Sequence, residues 1–128
     1  MTRKVRLLFF TQTLDCETCP MTRQILDELP PLSEKITVEE INLVLDGDRA
    51  KSYNIDRAPA IVIGYEDEGV IKDSRIRFLG APAGYEFLPL VQAVSLAGGR
   101  QSNLSEESRK RIALVDKPVT MQVFTTPT

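Results

Sequence analysis

The sequence of 128 residues contains no histidine and no tryptophan, and it has only two cysteines. Without an imidazole the chain cannot use histidine as a general base or as a metal ligand, which excludes histidine-dependent catalysis. A tetrahedral zinc site takes four nitrogen, sulfur or oxygen ligands, so two cysteines alone cannot complete one. The composition therefore predicts no bound metal, unless carboxylates or a second chain supplied the missing ligands.

An excess of charge of one sign and long apolar segments are also missing. Sixteen Lys and Arg stand against eighteen Asp and Glu, and no basic stripe is present that could neutralise phosphates. The apolar run at residues 7–10 is much shorter than the roughly 7–15 residues of a secretory signal or the ~20 of a membrane span. We therefore predict a cytoplasmic protein that binds neither nucleic acid nor membranes.

Both cysteines, Cys16 and Cys19, lie in the segment TQTLDCETCPMT, residues 11–22. Structural disulfides are rare in the reducing cytoplasm, where a C-x-x-C spacing more often serves redox or metal chemistry. Because the chain is short of metal ligands, the spacing favours redox chemistry. A pair of inert buried thiols is the alternative.

The hydrophobic pattern predicts alternating strands and helices over the first 99 residues. Apolar β-prone runs indicate strands, and apolar positions with helical spacing, bounded by Pro or Gly, indicate helices. The predicted strands span residues 5–10, 36–43, 60–65 and 75–79, and the predicted helices span residues 17–29, 49–53 and 85–97. A helix between the first two strands implies a parallel pair, whereas the close last two strands imply an antiparallel hairpin. We therefore predict an α/β fold with a mixed four-stranded central sheet and helices on both faces.

The last 29 positions, residues 100–128, form a different kind of segment. A polar linker is followed by a helix capped by Ser105, and residues 119–124 are predicted to form an apolar strand. We predict a redox unit at residues 1–99 and the start of a second, incomplete unit at residues 100–128. The apolar strand needs a partner. It would pair with the first unit, exchange with another molecule to form a homodimer, or stay disordered.

The order of these motifs resembles the thioredoxin and glutaredoxin superfamily. A C-x-x-C between a strand and a helix is followed forty residues later by Ala58-Pro59, at the start of another strand. Residues 5–63 resemble the N-terminal unit of the tandem, glutaredoxin-like protein disulfide oxidoreductases. The segment IRFLGAPAGYEF, residues 76–87, resembles a loop and helix start of that family and of the N-terminal domain of the alkyl hydroperoxide reductase flavoprotein. In the tandem family, the segment VTMQVFTTPT leads into a second C-x-x-C, which this sequence does not contain, and we interpret the sequence as a truncated form.

The resemblance implies a thioredoxin-like fold and a role for each site residue. Cys16, at the exposed start of a helix, is expected to attack a substrate disulfide, and the more buried Cys19 to resolve the mixed disulfide. The resemblance makes Pro59 a cis-proline facing Cys16 and leaves the Ala58 backbone free to pair with substrate. Glu17 and Arg57 are candidates for raising and lowering the thiol pKa, respectively.

We therefore predict a thiol–disulfide oxidoreductase that acts on protein disulfides, binds no cofactor, and receives electrons from an external reductase of the thioredoxin-reductase kind. Two alternatives remain open at this stage. One is an electron relay to a peroxiredoxin. The other is a non-catalytic thioredoxin-fold module for binding or dimerisation, in which Cys16 would be dispensable.

Overall fold

A computed structural model describes residues 1–126. Its four strands and four α-helices follow the predicted order. They are β1 (Val5–Thr11), α1 (Cys19–Asp27), β2 (Ile36–Asn42), α2 (Gly47–Ser52), β3 (Ala60–Asp67), β4 (Val70–Leu79), α3 (Phe87–Ala97) and α4 (Glu106–Ala113). Short 3-10 turns precede β2 and α3, at Pro30–Leu32 and Gly84–Glu86.

The four strands form one mixed sheet in the order β2-β1-β3-β4. β1 and β2 run parallel, with Leu7 opposite Val38, and α1 makes the crossover between them. β3 runs antiparallel to both β1 and β4. The predicted mixed four-stranded sheet is confirmed, and β1 lies at its centre because its apolar run is covered on both faces.

Successive side chains of β1 enter two separate cores, since side chains alternate between the faces of a strand. Leu7 and Phe9 pack with α1 and α3 in the larger cluster. Leu8 and Phe10 pack in the smaller cluster with Ala50 of α2. All four β1 side chains are at most 1% exposed, so the prediction of helices on both faces is also confirmed.

The hairpin of β3 and β4 is longer than its sequence pattern indicates. β4 begins at Val70 rather than at residue 75, because residues 70–73 pair with residues 64–67 at the end of β3, although only Val70 and Ile71 among these four β4 residues are apolar. A β-bulge between Ile63 and Gly64 interrupts the ladder. Ser74 bridges the irregularity, its hydroxyl donating to the Ile63 carbonyl at 2.5 Å.

Helix α1 begins two residues later than predicted and turns a different face to the core. Its buried positions are Cys19, Thr22 and Leu26, whereas Met21 is 43% exposed. Helical spacing predicts an apolar stripe of Met21, Ile25, Leu26 and Leu29. Leu26 and Leu29 are buried and Ile25 packs against the core, but the placement of Met21 is wrong because Thr22 occupies the inward position. A threonine can be buried there because its hydroxyl donates to the Thr18 carbonyl at 2.7 Å, within the same helical turn.

The segment after α3 is exposed along its described length. Helix α4 forms as predicted, with the Ser105 hydroxyl accepting from the Ser108 N–H, but it buries no residue. The prediction of a strand at residues 119–124 is wrong, because these residues form no ladder within the part of the chain that the structure describes. Dimerisation through that segment stays a prediction. Positions 127 and 128 lie outside the described residues, and the division at residues 99 and 100 stays a prediction.

Among residues 1–126, no helix combines the length and the apolar character needed to span a membrane.

Candidate active site

The two cysteines lie where the central strand passes into helix α1. Residues 12–18 form an irregular loop after β1, and the helix starts at Cys19. Cys16 and Cys19 are joined by a disulfide, with their Cα atoms 5.5 Å apart. The C-x-x-C spacing thus places both sulfurs within bonding distance, between the end of β1 and the start of α1.

The two sulfur positions differ in exposure. Cys19 is buried, with 4% of its surface exposed, whereas Cys16 is half-buried and packs at the edge of the larger core. Cys16 precedes the helix by three residues rather than standing directly before it, because the helix begins two residues later than predicted. The predicted order of burial is observed. Cys16 is therefore the sulfur that a large substrate reaches more easily.

The start of helix α1 is suited to stabilising negative charge. Pro20 stands in its first turn, where a missing N–H breaks no helical bond, and that turn contains no acidic residue. The first backbone N–H groups and the positive end of the helix dipole favour an anion nearby. Thr22 stabilises the first turn of α1, since both its N–H and its hydroxyl donate to the Thr18 carbonyl, at 3.0 and 2.7 Å.

The Ala58–Pro59 peptide bond is cis, as the resemblance implied. Pro59 is buried, and its carbonyl accepts from the Gly80 N–H at 2.9 Å. Ala58 is half-buried and packs against the same core cluster as Cys16. Within residues 1–126, neither the N–H nor the carbonyl of Ala58 makes a hydrogen bond. The Ala58 backbone is thus available to a ligand.

Arg57 and Glu17 occupy exposed positions around these elements. The Arg57 Nε donates to the Asp56 carboxylate at 2.9 Å, and this hydrogen bond lowers the pKa of Asp56. Part of the positive charge expected from Arg57 is therefore compensated by its own neighbour. Glu17 lies in the turn between the cysteines and is exposed. The pKa-tuning roles of both residues stay predictions.

A cleft of about 570 Å³ opens beside the disulfide, on the side of β2. Both cysteines line it. Its other walls carry Arg23 of α1, Glu40 of β2, and the uncharged polar residues Thr11, Gln12, Thr13 and Asn42. The sequence analysis did not single out Arg23 or Glu40. The signal was present, because Arg23 follows Cys19 by one helical turn and the parallel register places Glu40 opposite Phe9.

Arg23 and Glu40 form an ion pair across this cleft. The Arg23 Nε also lies 3.5 Å from the Asp27 carboxylate. On the opposite face of β2, Glu39 forms a comparable pair with Arg49 at 2.6 Å. The hydrogen bond from Arg49 lowers the pKa of Glu39 below its ordinary value. Glu39 also lies 3.6 Å from Arg6. Both faces of this edge strand thus carry Arg–Glu contacts, and only the Arg23–Glu40 pair lines the dithiol cleft.

Comparison with known proteins places this geometry in a family. No protein-family model matches the chain. A protein named "Probable Thioredoxin" from Methanothermobacter marburgensis is 35% identical over 92 residues, which cover 71% of this chain and 93% of that protein. The chain belongs to the thioredoxin superfamily.

Two solved structures of longer chains share the fold of this thioredoxin-superfamily chain. The NTD_N/C domain of the alkylhydroperoxide reductase AhpF from Enterococcus faecalis is 29% identical, with a TM-score of 0.76 over 88% of this chain. A protein disulfide oxidoreductase from Aeropyrum pernix, 19% identical, shares the fold with a TM-score of 0.72. The chain spans about half the length of either structure, 52% and 48% respectively.

The site provides the chemistry of a thiol–disulfide oxidoreductase. Its two sulfurs form a disulfide, and a disulfide is reduced by two electrons when two thiolates attack in turn, the first forming a mixed disulfide and the second releasing it. Residues 1–126 contain no group of three or more Cys, Asp or Glu side chains arranged to hold a metal ion. The redox-active group described here is the Cys16–Cys19 pair.

Proposed function

We propose that the chain exchanges disulfides with other proteins, with Cys16 as the attacking and Cys19 as the resolving thiol. The observation that carries the proposal is the unequal exposure of the two bonded cysteines, together with an unpaired backbone at Ala58. A small disulfide needs no backbone partner. An extended polypeptide does, because it binds by adding a strand to an exposed backbone edge.

The reductive direction balances in two steps. The Cys16 thiolate attacks one sulfur of the substrate disulfide, forming a mixed disulfide and releasing the other sulfur as a thiolate. The Cys19 thiolate then attacks the Cys16 sulfur and releases the second substrate thiol, which leaves Cys16–Cys19 oxidised. Two electrons pass from the cysteine pair to the substrate. An external reductase of the thioredoxin-reductase kind is the proposed source of the next electron pair.

Single-turnover exchange tests this assignment of roles. The reduced chain is mixed with a protein that has accessible disulfides, such as insulin, and the thiols formed are alkylated and counted by mass. The Cys16→Ser variant should release no substrate thiol, and the Cys19→Ser variant should accumulate the mixed disulfide. Full exchange by the Cys16→Ser variant would contradict the proposal, and a chain that binds partners equally well without Cys16 would be the non-catalytic module.

A second candidate is electron transfer to a peroxiredoxin. It is favoured by the 29% identity to part of an alkylhydroperoxide reductase subunit, whose name refers to peroxide chemistry. The two candidates differ in substrate preference. A relay should reduce an oxidised peroxiredoxin far faster than it reduces insulin, whereas a general oxidoreductase should reduce both at comparable rates.

We further propose that residues 100–128 begin a second thioredoxin-like unit, as their sequence predicts. Their exposure supports this, since α4 buries no residue and Val119, Met121, Val123 and Phe124 are each at least 69% exposed. Extending the sequence with the C-terminal half of a two-unit relative should bury these side chains. Hydrogen exchange at residues 106–124 as fast in the extended chain as in this one would contradict the proposal.

A further inference from the structure

The dithiol cleft has a charge arrangement that the exchange mechanism does not use. Among the described residues that line it, Arg23 and Glu40 are the two that carry charge, and they pair with each other. Arg23 lies on the helix that begins at Cys19, one turn further on, and Glu40 comes from the neighbouring edge strand β2. Their side chains are 50% and 42% exposed, so each can adjust when its partner is changed.

We propose that the Arg23–Glu40 ion pair sets the redox equilibrium of the Cys16–Cys19 pair, with Glu40 neutralising a cation that would otherwise stabilise the reduced form. The inference rests on the proposed redox function. Arg23 and Glu40 act here through the field at the sulfurs and are positioning residues rather than catalytic ones.

The sign follows from the charges of the two redox states. The disulfide is neutral, whereas the reduced pair carries a thiolate once the pH exceeds the thiol pKa. A nearby cation therefore favours reduction, and a nearby anion opposes it. Removing Glu40 leaves Arg23 with Asp27 as its remaining carboxylate neighbour, 3.5 Å from its Nε and outside the lining of the cleft, so the positive charge facing the cleft increases. Removing Arg23 leaves the negative charge of Glu40 in the cleft. The two substitutions must shift the equilibrium in opposite directions.

The size of the effect follows from Coulomb's law in a water-filled cleft. A unit charge about 8 Å from a thiolate, at an effective dielectric constant of about 60, changes the equilibrium by roughly threefold. The effect requires a thiolate, so it is largest above the ordinary cysteine pKa of ~8.5 and vanishes well below it. High salt weakens it, because the Debye length falls from about 10 Å at 0.1 M to about 3 Å at 1 M.

Other charged groups near the cysteines stay constant among the variants. Asp15 and Glu17 flank Cys16 in its own loop. The Asp56–Arg57 pair precedes Pro59 and is compensated internally. These groups affect the redox equilibrium of every variant equally. A difference between the Arg23 and Glu40 variants therefore comes from the Arg23–Glu40 pair.

The test is an equilibrium titration of the cysteine pair with defined ratios of reduced to oxidised glutathione at pH 9 and pH 6. The variants are Arg23→Gln, Glu40→Gln and the double substitution. We expect Glu40→Gln to be reduced about threefold more readily at pH 9, a change of about 15 mV. We expect Arg23→Gln to shift about threefold the other way, and the double variant to lie within about 1.5-fold of the unchanged chain.

The opposite face of β2 provides a matched control. Glu39, one position before Glu40 on the same strand, points away from the cleft and forms a similarly exposed pair with Arg49 of α2. Glu39→Gln and Arg49→Gln should move the titration by less than about 1.5-fold. If the substitutions acted only by distorting strand β2, the Glu39 and Glu40 variants would shift the redox equilibrium in the same direction. Such a shift would not be larger at pH 9 than at pH 6.

The outcomes separate the inference from the proposed function. If the unchanged chain does not equilibrate with glutathione, the redox function itself fails. If it does, shifts of opposite sign that shrink at pH 6 and in 1 M salt support the role of the ion pair. Shifts of equal sign, or shifts no larger than those of the Glu39 and Arg49 controls, overturn it.

Discussion

Thr22 gives the sharpest test of how the fold holds the active-site loop. Its side chain is fully buried, and its hydroxyl donates to the Thr18 carbonyl at 2.7 Å. Thr22→Val keeps the branched shape and removes this one hydrogen bond. The Thr18 carbonyl keeps the Thr22 N–H as a partner, so no buried acceptor is left without one. We therefore expect the loss of one ordinary hydrogen bond, about 1 kcal/mol of the free energy of unfolding.

That magnitude can be measured by urea denaturation of the oxidised chain, or as a fall of about 3–5 °C in Tm. Thr22→Ser is the matched control, since it keeps the hydroxyl and loses a buried methyl group, at a similar cost of about 1 kcal/mol. Only Thr22→Val should also change the alkylation rate of Cys16 in the reduced chain, because only that change loosens the turn between the cysteines. Equal alkylation rates in both variants, or a loss above about 3 kcal/mol in Thr22→Val, would refute the reasoning.

Three further predictions concern the disulfide, the C-terminal segment and the charge on β2. Reducing Cys16–Cys19 should lower the free energy of unfolding by only about 2 kcal/mol in parallel denaturant titrations, because the disulfide closes a loop of four residues; a loss above about 4 kcal/mol would contradict this. Removing residues 105–128 should change Tm by less than about 2 °C, since none of the described residues in that range is buried; a larger fall would show packing that this structure does not contain. The pKa of Glu39 is lower in the folded chain than in the unfolded chain, so its stabilising contribution is present above the unfolded pKa and is lost as the pH falls through the folded pKa. The difference in unfolding free energy between the unchanged chain and Glu39→Gln should therefore be larger at pH 7 than at pH 3, and an equal difference would contradict the ion pair with Arg49.

The sheet could be predicted from the sequence because β1 has a clear hydrophobic pattern. Its uninterrupted apolar run specifies a strand buried on both faces, and the crossover and hairpin rules then leave few topologies. The Ala58–Pro59 element could also be predicted, but only by resemblance, since an isolated X-Pro bond is far more often trans. The hydrophobic pattern of the sequence thus predicted the strands and helices around the cysteines, whereas the family resemblance predicted the cis-proline.

The errors lie where a tertiary partner decides the outcome. Met21 has the apolar character of a core residue, and Thr22 becomes buried instead because a backbone carbonyl satisfies its hydroxyl. Residues 119–124 have strand propensity, but a strand also requires a neighbouring backbone to pair with. The Arg23–Glu40 pair depends on the register of two parallel strands. Periodicity along one segment contains none of this information.

The position of the cysteine pair is explained by chemistry rather than by the demands of stability. Two hydrophobic clusters already cover both faces of the sheet, and a four-residue loop is among the least effective places for a stabilising disulfide, because closing it removes little unfolded-state entropy. A structural disulfide would be more effective across a long loop, where the same bond contributes up to about 4.7 kcal/mol. The same short spacing serves exchange in the mechanism we propose, because Cys19 is already within reach when a mixed disulfide forms on Cys16. The fold buries Cys19 and leaves Cys16 accessible, and breaking the bond between them lowers the free energy of unfolding only slightly. A reversible redox couple requires this combination.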